Sequence, residues 1–376
     1  MITNPLIYLF TLASLVAFLY LLEKKTAAKF FSYFPLVVLI YLVAMAFGSF
    51  GLFAQTQEIR EIYMLTKSNL LPAMLFLMLL QVDFRAFVRL GRSLIIAYFL
   101  AVFSIAFAFV VVAFGFSFSL ETSGAFGALA GSWMGGTANM IAVGSALGVS
   151  EEAFAYALLV DSVNYTLWVM LLLSLVPFAK YFNTFVKSSQ TQSSFEGIGC
   201  ACEMGVPRYW SLIFLALCIS FVAQVLGATF AIFDATTSTI LFASFFGILG
   251  SFTRLRLLGG ADKIATTMLY LLIALIGSSA KIESFDGAFV YVLAGFLILL
   301  LHGLIMVLGA KIFKLDLFSI GIASLANIGG VASAPILAAA YHKNLASVGV
   351  LMALMGYIIG TFGGLVVGNI LIGIAQ

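Results

Sequence analysis

The chain has 376 residues, of which 63% are hydrophobic and 9% charged, and its mean hydropathy is +1.18. Soluble proteins carry roughly 25% charged residues, so a soluble globular fold is excluded. The net charge of +3 is scattered and leaves no nucleic-acid footprint. Cys200, Cys202 and Cys218 are too few for a disulfide framework, and without clustered histidines they make a poor metal site.

Taken in chain order, apolar segments are predicted at about 5–22, 33–54, 69–82, 93–117, 122–147, 153–178, 208–232, 236–252, 264–280, 287–310, 317–341 and 345–373. Most have the length of about 20 residues that a bilayer-spanning helix needs. The first is read as a retained span rather than a signal peptide. No positive charge precedes it, "EKK" follows at once, and no small-residue cleavage site closes it. A polar stretch at 179–207, centred on "KSSQTQSSFEG", divides the set as a linker.

The two sides of that linker echo each other. "MLFLMLL" at 74–80 resembles "MLYLLIA" at 268–274, and "GG" at 135–136 meets "GG" at 329–330 in the same register. "GSF" at 48–50 and again at 250–252 is a looser echo, displaced by a change in loop length. Internal repeats are a common plan of secondary transporters.

Charge then bears on topology. If all twelve segments cross the membrane, the 18 Lys and Arg divide almost evenly between its sides, against the positive-inside tendency. If 122–147 and 317–341 each dip in and return, with the N-terminus outside, only Arg60, Lys67 and Lys281 stay outside. The expected fold is therefore an all-α polytopic membrane protein of two inverted repeats. Each has five transmembrane helices and a re-entrant hairpin. Residues 1–178 form the first repeat, 179–207 a cytoplasmic linker and 208–376 the second, with both termini outside.

The hairpins explain the polar, glycine-rich text "GSWMGGTANM" and "ASLANIGG". Non-helical backbone at membrane depth is tolerated where it is buried in protein or lines a cavity. Glycine permits the turn and a close backbone approach. The turn frees amides, which attract an anion such as a carboxylate, and carbonyls, which coordinate a small cation. Ser132, Gly135, Gly136, Thr137 and Asn139 are the candidate binding residues of the first hairpin. Ser324, Asn327, Gly329, Gly330 and Ser333 are those of the second. The bland alternative is a helix-packing patch of small residues.

These motifs carry a resemblance. "GSWMGGTANM", "DSVNYTLW" and "ASLANIGG" are similar to those of the YjcL-like membrane proteins, a family filed as a domain of unknown function (number 819), over nearly the whole chain. The layout also resembles the sodium:glutamate and 2-hydroxycarboxylate symporters. That likeness implies an elevator-type architecture, in which a mobile domain carries the hairpins against a fixed scaffold. In those symporters basic residues help hold substrate carboxylates. No arginine lies in the deep apolar text here, a departure that speaks against a dicarboxylate.

Asp161, in "ALLVDSVNYTLW", lies about eight residues into its span, roughly 12 Å deep. A carboxylate at that depth costs several kcal/mol unless it is paired, solvated or protonated. Asn164 shares its face at i+3, with Ser162 and Tyr165 adding polarity. Asp161 and Asn164 are therefore candidates for binding Na⁺ or a proton. The alternative is a structural acid, protonated or hydrogen-bonded.

His302 is a candidate proton relay or a satisfied packing residue. Asp83 and Arg85 read as an interfacial ion pair, and Gln224 as a bond to a neighbouring helix. Gly356, Gly360, Gly364 and Gly368 form a ridge for close packing, expected against the second hairpin. "SSAK" at 278–281 matches Ser-x-x-Lys but lacks its partner motifs, so it is read as chance.

The expected function is secondary transport of a small solute, anionic solutes included, across an inner membrane, coupled to Na⁺ or H⁺. No cofactor beyond the coupling ion is expected, nor a metal other than a Na⁺ site. The expected partners are the solute and membrane lipid, with a homodimer open and nucleic acid excluded. An intramembrane enzyme, a channel and a non-transporting scaffold are the alternatives. Two histidines and one deep acid are a thin basis for catalysis, and no Walker motif is present.

Overall fold

A computed structural model describes residues 1–26, 36–83, 86–87, 90–188, 205–230, 235–279, 288–342 and 345–376. Regular structure in these residues is helical, apart from one isolated bridge between Ile2 and Phe53. The α-helices are α1 (Pro5–Thr26), α2 (Leu36–Ser49), α3 (Gln57–Leu80), α4 (Arg92–Phe116), α5 (Leu120–Gly135), α6 (Thr137–Ala146), α7 (Glu151–Leu175) and α8 (Ala179–Val186). After the linker come α9 (Val206–Thr229), α10 (Ala235–Ser251), α11 (Ala261–Ser279), α12 (Ala288–Phe313), α13 (Leu317–Ile328), α14 (Gly330–Tyr341) and α15 (Ala346–Ala375).

Eight helices among the described residues are long and apolar enough to cross a membrane, which marks an integral membrane protein. Two others, α2 and α10, are described over 14 and 17 residues, each from the point where the described residues resume. Each stands second in its half of the chain, and each ends at a "GSF" sequence. Many exposed side chains are large and apolar, such as Phe103, Phe114, Phe214 and Phe221. Water would penalise such a surface, whereas lipid accepts it.

The helices follow the predicted segments, with two kinds of difference. Helix α3 begins at Gln57, twelve residues before the apolar run at 69. Its early turns carry charge, yet Ile59 and Tyr63 are buried, so packing draws a polar stretch into the helix. The segments at 122–147 and 317–341 are each broken at glycine into two short helices. The helices of each pair lie in contact with one another.

The chain forms two compact units, and each draws on both halves. The first comprises the described residues of Met1–Leu80, Ser150–Ser162 and Cys202–Ala288. It contains α1, α2, α3, α9, α10, α11 and the start of α7. Small residues let its helices approach closely: Gly277 faces the backbone of Tyr41, and Gly247 faces Phe76 and Leu79. Gln224 on α9 donates to Asn69 Oδ1 on α3 at 3.2 Å, the bond to a neighbouring helix that its sequence position suggests. A polar knot sits among Tyr63, Lys67 and Glu151. The Tyr63 hydroxyl donates to Glu151 Oε1, Lys67 Nζ stands 4.0 Å from the same oxygen, and Tyr41 donates to the Glu151 carbonyl at 2.8 Å.

The second unit comprises the described residues of Gln81–Val149, Val163–Ala201 and Phe289–Gln376. It holds both broken helix pairs. Its longest helix, α15, contacts all four of the short helices. The glycine ridge of α15 is met by a second ridge on α5. Gly127 lies against Gly368, Gly131 against Gly364, and Gly135 against Gly356 and Gly360. This corrects the expected partner: the ridge packs on the first pair. The second pair is reached by Gly349, where an added Cβ would lie 2.6 Å from the Ala334 carbonyl oxygen. Small residues at four-residue spacing produce this close approach.

Candidate functional site: two glycine breaks in one unit

At the first break Gly136 adopts φ 90° and ψ 171°, a region essentially confined to glycine. Its N–H donates to the Ser132 carbonyl at 2.6 Å. The preceding glycine has a different task, since a Cβ on Gly135 would overlap the Gly356 carbonyl and the Asn139 amide. The second break divides the work in the same way. A Cβ on Gly329 would run into Ser333 and the Tyr165 ring, whereas Gly330 takes φ 60°. At both Gly136 and Gly330 the space where a Cβ would stand is open to at least 4 Å.

The helix ends differ in a matched way. The outer N-termini are capped by side chains: Ser119 accepts from Thr122 N at 3.2 Å, and Asp316 accepts from Ser319 N at 2.8 Å. The inner N-termini, where α6 and α14 leave the breaks, have no side-chain cap. The first N–H groups of a helix lack intrahelical partners and carry its positive dipole end.

The side chains around the two breaks differ. Asn139 is buried and fully engaged. Its Nδ2 donates to Gly135 O at 2.7 Å and Gly356 O at 3.3 Å, and its Oδ1 accepts from Thr361 at 2.6 Å. It is a staple between the first break and α15. Ser132 is buried beside it, and Thr137 is half-buried at the start of α6. At the second break, Asn327 Nδ2 donates only to Ala323 O of its own helix, at 2.8 Å. Asn327 Oδ1 and Ser333 Oγ are buried with no hydrogen-bond partner among the described residues. Native proteins rarely leave buried polar atoms so.

Two substitutions should therefore part company. Asn139→Ala strands a hydroxyl and releases two carbonyls, each orphan costing about 1–3 kcal/mol. Asn327→Ala removes one bond within a single helix and should cost under about 1 kcal/mol. Thermal unfolding of the purified variants in detergent checks this, and equal losses would refute the asymmetry.

Ser324 belongs to a different arrangement. Its Oγ accepts from Trp168 Nε1 at 2.9 Å and lies 2.8 Å from His302 Nε2. The other ring nitrogen, Nδ1, is 2.7 Å from Ser104 Oγ, which donates to Ala101 O at 2.9 Å. With the Ser104 proton donated to Ala101 O, a neutral His302 protonated at Nδ1 donates to Ser104 and accepts from Ser324 at Nε2; the other tautomer reverses both His302 bonds. A neutral imidazole closes the chain with every member satisfied. His302 is fully buried.

Asp161 is half-buried on α7. Asn164, one turn on, is fully buried and donates to Val292 O at 3.2 Å. The two belong to segments of different units. Asp83 accepts from Ala86 N at 3.1 Å; Arg85, Cys200, Cys202 and part of the "SSAK" stretch lie outside the described residues. Cys218 is a free thiol, and no group of three metal-binding side chains occurs among the described residues.

Sequence reasoning missed the Tyr63–Lys67–Glu151 knot and the parts of Ser104 and Trp168 in the His302 chain. A tyrosine and a lysine one helical turn apart, facing an acid distant in sequence, give the first no distinct signature. For the second, a tryptophan inside an apolar span was the available signal, because a buried indole N–H needs an acceptor.

A comparison with the curated proteins finds no match. Residues 10–374 match the model of the family described as "Protein of unknown function (DUF819)". With the motifs around both breaks inside the matched region, the chain belongs to that family.

Proposed function

We propose that the protein is a secondary active transporter that carries a small solute across the membrane, coupled to Na⁺ or H⁺. The observation that carries this reading is the second break. Two buried oxygens with no partner among the described residues, Asn327 Oδ1 and Ser333 Oγ, flank a glycine with open space before it and a helix end without a side-chain cap. Unfilled polar capacity at membrane depth costs free energy that a bound solute or ion would offset. The first break supplies a matching uncapped helix end in the same compact unit.

The reading includes two inverted repeats with re-entrant glycine hairpins. Its support is the recurrence of the glycine break and the capped outer end in both halves. The compact unit that holds both breaks is then the carrier.

The test is a ligand screen by thermal shift in detergent, with and without Na⁺. A ligand that binds only the folded state raises apparent stability. Solutes that stabilise the native chain should fail to stabilise Asn327→Ala. If Asn327→Ala responds as the native chain does, the solute does not bind at the second break.

Topology is checked by labelling. With Cys200, Cys202 and Cys218 replaced, a cysteine at Lys187 should be shielded from an impermeant outside thiol reagent. Cysteines at Glu121 and Glu152 should react; both positions are exposed, whereas Glu151 is held by Tyr63. Labelling at position 187 from outside would overturn the re-entrant arrangement.

Coupling is assigned to Asp161. If Na⁺ tightens solute binding, solute must tighten Na⁺ binding by the same factor. Asp161→Asn keeps the size and removes the charge, so it should abolish that mutual dependence. Binding to native chain and variant is measured with Na⁺ varied at fixed pH, then with pH varied without Na⁺. An undiminished response in the variant would place coupling elsewhere.

A further inference from the structure

The second unit contains a cavity of about 900 Å³ between the later turns of α7, the turn after it, α8, α12 and α13. Its wall is leucine, isoleucine, valine, methionine and aromatic side chains, with few polar groups. Three of these are Asn164, Trp168 and Ser324, and all are engaged with the protein itself. Asn164 donates to Val292 O, and Trp168 and Ser324 belong to the His302 chain. Another, Tyr181, stands at an exposed edge. The wall thus offers an occupant apolar contact and few hydrogen bonds, which suits a hydrocarbon chain and not a polar solute.

One end of the cavity is strongly basic. Phe178, Tyr181, Phe182 and Phe185 line it from α8 and the turn before, while Lys180 and Lys187 on the same short stretch are exposed. Helix α12 adds Lys311, whose Nζ bonds the Phe185 carbonyl and lies 4.2 Å over the Phe185 ring. Lys314 follows, also exposed. The nearest acid in sequence, Asp316, caps α13. An aromatic and basic short helix of this kind suits the boundary between acyl chains and headgroups.

Length fits as well. From Phe296 to Val307 the wall follows eleven steps of α12, about 16 Å at 1.5 Å each. That is about half of a hydrocarbon core some 30 Å thick, the depth of one leaflet. We propose that this cavity holds an acyl chain of an anionic phospholipid, with Lys180, Lys187, Lys311 and Lys314 holding its phosphate. The lipid site is separate from the solute site and does not depend on it. Clustered lysines beside a membrane span attract anionic headgroups, and their long stems allow the ammonium groups to reach the interface.

Trp168 supplies the reporter. In the full-length chain carrying Trp210→Phe, the remaining tryptophans are Trp133, fully buried, and Trp168 on the cavity wall. The protein is placed in phosphatidylcholine bilayers, and bromine-labelled acyl chains are introduced on phosphatidylglycerol or on phosphatidylcholine. Brominated phosphatidylglycerol should quench Trp168 saturably, at about threefold lower mole fraction than brominated phosphatidylcholine. Replacing all four lysines by glutamine should abolish that preference. Leu300→Phe with Leu304→Phe, which fills the cavity without touching the lysines, should weaken quenching by both lipids. Equal quenching by the two lipids in the starting chain would overturn the proposal, as would a preference that survives loss of the lysines. Quenching by neither lipid would overturn it too, and would leave the cavity to a second copy of the chain or to a solute.

Discussion

Gly364→Leu should be the most damaging single change in the second unit. A Cβ at that position would stand 2.6 Å from the Cα of Gly131 and 2.7 Å from Val143 Cγ2. The first of these neighbours is backbone and cannot rotate away, so α5 and α15 must separate. Overpacking ordinarily costs about 1–3 kcal/mol; separating two helices along a shared ridge should cost at least the upper end of that range. Gly373→Leu is the control on the same helix, because a Cβ there meets nothing within 4 Å. The thermal midpoint in detergent should drop sharply for the first variant and stay within error for the second. Similar midpoints for the two would mean that the ridge does not hold the unit together.

His302→Ala should be the next most damaging. It opens a cavity in a buried site, and it removes the imidazole partner of the Ser324 and Ser104 hydroxyls. Cavity formation and the lost buried hydrogen bonds together should cost about 3–5 kcal/mol. Trp168 and Ser104, bonded to Ser324 and His302, should lose rigidity, visible as a shift in Trp168 fluorescence. A proton relay predicts a different result: normal stability with a changed pH response of transport. Stability measured alongside transport at several pH values separates the two.

The spans and both glycine breaks were legible in the sequence, because apolar length and a doubled glycine in polar text are local signals. Partners were not. The spacing of Gly356, Gly360, Gly364 and Gly368 declares a face for close packing, but which helix meets it is a long-range fact. Gly127, Gly131 and Gly135 repeat the same spacing and pair with it; nothing local distinguishes them from glycines that serve the turn. The contrast between Asn139 and Asn327 was equally hidden. Both are asparagines near a glycine pair, and only the position of Thr361 and Gly356 on another helix satisfies one, while the other's oxygen has no partner among the described residues. The start of α3 at Gln57 was missed because its early turns are polar by composition and buried by context.

Contact between α5 and α15 brings backbone against backbone where the glycines meet, with Asn139 and Val143 of α6, and Leu147 just after it, packed beside them. Side chains are what give helix interfaces their play, since a rotamer change can absorb a small displacement. This joint lacks that slack. A displacement of the first break along α5 bears directly on α15, whose Gly349 meets the backbone of α14 just beyond the second break. The two breaks are distant in sequence, yet they are mounted on one stiff rod.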